Sequence, residues 1–129
     1  MPATHSYDFA AIRVVPRVDR EEFVNAGVVV FCRTLKFLKA KIEVNEARLK
    51  ALWPDLDLAE VRGHLKSIPQ ICAGDRDGGP IAALPMADRF HWIVAPRSTM
   101  IQVSPVHSGI CETAEGVVEE LFERLVGRG

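Results

Sequence analysis

The run AGVVVFC, Ala26–Cys32, does most to limit what this chain can fold into. An almost unbroken apolar run of this length reads as a strand covered on both faces, because a strand with one wet face alternates. A second strand-like run, Tyr7–Val15, precedes it, rich in aromatic and β-branched residues, and Pro16 is expected to close it. The joining segment, residues 16–25, is too short for a parallel crossover, so the two runs are expected to pair antiparallel.

The chain downstream extends this meander. RTLK, Arg33–Lys36, reads as a tight turn. Phe37–Val44 then alternates, with Leu38, Ala40, Ile42 and Val44 on one face and Lys39, Lys41 and Glu43 on the other. Asn45 can cap a short helix to Trp53, and Pro54 stops it. Asp57 and Glu60 open a second helix, with Leu58, Val61, Leu65 and Ile68 at helical spacing; Pro69 is expected to kink or end it. Ala73–Pro80 is loop-like but is not a phosphate loop, since its glycines follow no strand and no GK[ST] is present. Leu84–Val94 fits a helix or a strand; Pro85 at its start and the stripe of Met86, Phe90 and Ile93 favour the helix. Met100–Val106 reads as a short fourth strand. Thr113 then precedes an amphipathic helix with Val117, Val118, Leu121, Phe122 and Leu125 on its apolar face, ended by Gly127. Residues 1–129 thus read as a single α+β domain: an antiparallel sheet of about four strands with helices packed on one face.

Composition excludes some functions. A formal net charge of −1 is not that of a polyanion binder, and an aromatic fraction of 7% is thin for base stacking, so nucleic acid is not the expected partner. No apolar run reaches the length of a membrane span, and MPATHSYDF lacks the pattern of a signal peptide, so a cytoplasmic location and no membrane partner are expected. Three widely spaced cysteines, Cys32, Cys72 and Cys111, make no disulfide framework and read as buried free thiols. The scattered His64, Cys72, His91, His107 and Cys111 lack zinc-like spacing; no metal and no cofactor is expected.

Two strings concentrate polar chemistry. In the first, Arg13 sits between Ile12 and Val14, Arg17 follows about 13 Å further along a strand, and DREEF supplies Glu21 and Glu22 as ion-pair candidates. The arginines are too far apart to share one phosphate but could span an extended ligand; a structural ion pair at a hairpin base is the alternative. Asn25 and Gly27 flank Ala26, as at a bulge or a close backbone approach. In the second string, Arg97, Ser98 and Thr99 offer a guanidinium fork and two hydroxyls suited to a carboxylate or phosphate, with Gln102, Ser104 and His107 beyond them. An ordinary polar loop is again the alternative. There is no G-x-S-x-G elbow, and His107 beside Ser104, Ser108 or Cys111 makes no convincing nucleophile pair.

IRVVPRVDREEFVNAGVVVFC, ICAGD, RFHWIVAPRST and SPVHSG, in that order, resemble the bacterial family called domain of unknown function 3037 over nearly the whole chain. The family carries no assigned activity or catalytic residue to transfer. The resemblance implies gene neighbourhoods encoding kinases similar to HipA toxins, hence a kinase-like protein partner rather than a reaction. The expected function is a non-catalytic accessory or binding module, in which Arg13, Arg17, Asn25, Arg97, Ser98, Thr99, Gln102, Ser104 and His107 receive an anionic small molecule or a protein partner. The alternative is an enzyme for a phosphate-bearing or nucleotide substrate, with His107 as general acid or base.

Overall fold

A computed structural model describes residues 3–20, 22–96 and 99–127. Strand β1, His5–Arg17, is long, and it pairs antiparallel with β2, Glu22–Cys32, which in turn pairs with β3, Phe37–Ile42. On its other side β1 carries two short strands in line, β4 (Ile101–Val103) opposite residues 12–14 and β5 (His107–Cys111) opposite residues 5–9. The result is a five-stranded antiparallel sheet of order β3-β2-β1-β4, with β5 also on β1. Four helices complete the α+β architecture: α1 (Glu46–Leu52), α2 (Leu58–Ala73), α3 (Met86–Val94) and α4 (Ala114–Phe122). The last runs on into a π-helical turn, Glu123–Gly127.

The apolar run of β2 explains the layering. Val29 and Phe31 point into the larger core with Val61, Leu65, Phe90 and Ile93 of α2 and α3. Val28 and Val30 point the other way, against Val118, Leu121 and Phe122 of α4. Helices on one face were expected; α4 instead covers the second face, because alternate apolar residues of a continuous run need burial on both sides. Lys39 and Lys41 accordingly reach α4 rather than open solvent, pairing with Glu115 at 3.2 Å and Glu119 at 2.6 Å.

Several details depart from expectation for identifiable reasons. Pro16 lies inside β1, at an irregularity between Val14 and Arg17 where a missing N–H breaks no ladder. Pro69 lies inside α2, because the apolar stripe continues to Ile71 and Cys72, and their burial outweighs the lost hydrogen bond. Gly74, at φ 71°, ends that helix in the left-handed region, and Arg89 donates to the freed carbonyls of Ile71 (3.0 Å) and Cys72 (2.8 Å). Strand β5 was not expected at all. Ser104 makes its junction with β4: its N–H donates to the Ala11 carbonyl, and its hydroxyl accepts from the Ala11 N–H, both at 2.9 Å. One side chain thereby closes the ladder where the strand changes.

Candidate functional site

A bulge in β2, opposite the middle of β1, shapes a polar group on the sheet. Ile12 stands opposite Gly27 and Arg13 opposite Asn25, so Ala26 is the extra residue. Gly27 is required beside it: a Cβ would stand 2.6 Å from the Lys41 carbonyl oxygen. Both sequence readings of this pair, a bulge and a close backbone approach, therefore hold. The bulge lets Val24 and Ala26 stay with the larger core while Asn25 turns to the α4 face.

On that face, residues opposite one another share a side of the sheet. Asn25 of β2, Arg13 of β1 and Gln102 of β4 thus form one row across three strands. The two polar strings meet in space at this row. Asn25 donates through Nδ2 to the Leu125 carbonyl at 3.0 Å, which fixes the amide and leaves Oδ1 as an acceptor. That Oδ1 and the Nε of Arg13 are both shut off from solvent, and neither finds a hydrogen-bond partner among the described residues. The guanidinium of Arg13 lies 4.1 Å from the ring centroid of Phe23, which stays 43% exposed. Gln102 is held by its own donation to the Thr99 carbonyl at 3.0 Å.

A buried donor and a buried acceptor without partners are each costly, by about 1–3 kcal/mol. The two stand in one row beside an exposed aromatic ring.

The other expected site residues lie elsewhere. Arg17 does not join Arg13: its guanidinium pairs with Asp19 at 2.9 Å and lies 5.0 Å from the Trp53 ring, on the face of α1. The ion pair of the alternative reading is present, but with Asp19, while Glu22 takes Arg20 at 2.7 Å. The recess between Arg17, Arg20 and Trp53 has room for about 10 Å³, one water at most. Thr99 lines a separate cleft of about 310 Å³ with His64, Ser67, Trp92 and Met100. Ser104 is buried and committed to the backbone, donating also to the Pro105 carbonyl at 2.9 Å. His107, on β5, lies against Phe9 with ring centroids 5.5 Å apart, on the same face as Arg13 but about 13 Å along β1. Arg97, Ser98 and Glu21 lie outside the described residues.

Among the cysteines, Cys32 and Cys72 are buried and Cys111 is half-buried; all three are free. Burial pushes the Cys72 thiol up to about 12, against the opposing pull of Arg89. Burial, followed by the nearby Cys32, raises the Cys111 thiol. Neither is a nucleophile near neutral pH. Phe23 is the site residue that sequence reasoning missed; its position two residues before Asn25 on one strand was the available signal.

The fold and this row define a small α+β module with a polar cross-strand site and an aromatic neighbour. The chain belongs to the family described as protein of unknown function DUF3037, whose model matches residues 9–126. No curated protein and no solved structure matches it. Among the described residues, no helix is long and apolar enough to cross a membrane.

Proposed function

We propose that this chain is a non-catalytic binding module of the bacterial cytoplasm whose Arg13–Asn25–Gln102 row receives an anionic group, carried by a small molecule or by a protein partner. One observation carries the reading: the Arg13 guanidinium sits in the middle of a cross-strand row with its Nε, a buried donor, without a partner among the described residues. A carboxylate or phosphate over the row accepts from the guanidinium, and the Phe23 ring orients that guanidinium from the side. A kinase-like protein remains the proposed carrier of the anion, on the family resemblance. Arg97 and Ser98 remain part of the proposal as residues close in sequence to Thr99. The enzymatic alternative draws no support from His107, whose distance from Arg13 is too great for both to act on one reacting group.

The test is a thermal-shift screen of phosphate, nucleotides and short carboxylates at low salt, on wild type and Arg13→Met. A ligand at a hundred times its dissociation constant adds about 2.7 kcal/mol, roughly 10 °C in a domain of this size. A shift in wild type that Arg13→Met abolishes supports the row as an anion site. A shift that survives Arg13→Met places the ligand elsewhere and ends the proposal for small anions.

A further inference from the structure

The sheet has two edges of opposite character. On β3, Lys39 and Lys41 project charge, and α2 and α4 flank the strand. On β5 there is neither protection. Its five residues, HSGIC, carry no Lys, Arg, Asp or Glu, and its only substantial packing among the described elements is against β1. Its outer edge pairs with no strand among the described residues. Ile110, on the face of α1–α3, is 74% exposed, the most exposed large apolar side chain described. An uncharged, uncovered edge with an apolar side chain is a template for strand addition.

We infer that β5 pairs with β5 of a second copy of this chain, antiparallel about a two-fold axis, so that two sheets become one continuous sheet. The choice of occupant follows from the edges themselves. Joining β5 to β3 of another copy is head-to-tail, does not close, and would grow a filament. Joining β3 to β3 is hindered by α2 and α4, which flank that strand, and by the Lys39–Glu115 and Lys41–Glu119 pairs that would crowd their copies. Joining β5 to β5 closes after two copies and meets no like charge, since the strand has no full charge and the chain only −1. An axis near Ile110 places the two isoleucines side by side on one face and removes the most exposed of the described large apolar side chains from water. The edge is five residues long, so the contact falls in the small size class and the dimer dissociates on dilution. This inference does not depend on the polar row, which lies over β1, β2 and β4.

Sedimentation of wild type from micromolar to millimolar concentration tests it, beside Ile110→Lys and Lys39→Gln. Ile110 is exposed, so its replacement leaves the fold intact, which circular dichroism verifies. The expected result is a reversible monomer–dimer equilibrium in wild type and Lys39→Gln, and a dissociation constant at least tenfold weaker in Ile110→Lys. A wild type that stays monomeric throughout overturns the inference and leaves the edge to an extended strand of another protein. A dimer that Ile110→Lys does not weaken overturns it as well, by placing the contact elsewhere.

Discussion

The face under α1–α3 and the face under α4 are built on the same strands, yet they differ in what they carry. Under α1–α3 the buried side chains form one wide apolar cluster from Ala10 and Val14 to Ile71 and Ile93. Under α4 the cluster is small, Val28, Val30, Val118, Leu121 and Phe122, and it stops short of β4. Beyond it, the same sheet surface turns polar at Asn25, Arg13 and Gln102. One face is apolar across the sheet; the other is apolar under α4 and polar beyond it.

Truncations in the two cores are the most forceful way to break this contrast. Phe90 is buried and stacks on Phe31 at 5.1 Å, so Phe90→Ala is expected to cost about 3–5 kcal/mol in chemical denaturation. Leu121→Ala, in the smaller cluster, is expected to cost about 2–3 kcal/mol, because a helix at the edge of a thin core can settle into the space it leaves. Equal losses would mean that the two faces carry the fold alike.

The larger core also predicts a pH dependence. The folded Cys72 thiol titrates near 12, above its ordinary value of 9.0, so the folded state keeps a proton that the unfolded state loses. Stability from this group is therefore complete below about pH 9 and falls as pH rises towards about 12, by about 1.4 kcal/mol per unit. Denaturation at pH 8 and 11 is expected to show a drop of roughly 2–3 kcal/mol more in wild type than in Cys72→Ala. Identical slopes in the two proteins would place the thiol in contact with water.

Ser104 tests the border between the polar row and the β5 edge. Ser104→Ala removes the acceptor for the buried Ala11 N–H and is expected to cost about 2 kcal/mol. Hydrogen exchange should quicken most in β5, whose alignment on β1 follows from that junction. Faster exchange confined to β3 would contradict the role given to this hydroxyl.

What the sequence disclosed follows the same division. Periodicity announces apolar faces, so β1–β3, α1, α2 and α4 were legible, as was the Gly27 bulge. Strand β5 was not: HSGIC has no repeated apolar position, and Pro105 reads as a breaker. Its place is set by a long-range partner, β1, and by the Ser104 hydroxyl, neither of which leaves a local pattern. The two polar strings were legible as strings, but their meeting depends on strand order, which puts Arg13 beside Gln102 and sends Arg17 to the opposite face. Pro69 does not end α2, because the apolar stripe runs past it to Ile71 and Cys72.

The smallest effect expected separates the two faces most sharply. If the row on the α4 face serves only the fold, Arg13→Met removes a cation–π contact with Phe23 and should destabilise slightly. If the row is kept for binding, the unpartnered Nε is a standing cost, and an apolar stem of similar length relieves it. The expected result is a gain of about 1 kcal/mol in Arg13→Met, together with loss of any anion-induced thermal shift. Asn25 differs, because its amide holds the Leu125 carbonyl, so Asn25→Leu should lose on balance. A variant at Arg13 that is both less stable and still responsive to anions would assign the arginine to the scaffold, and the two faces would then differ in size rather than in purpose.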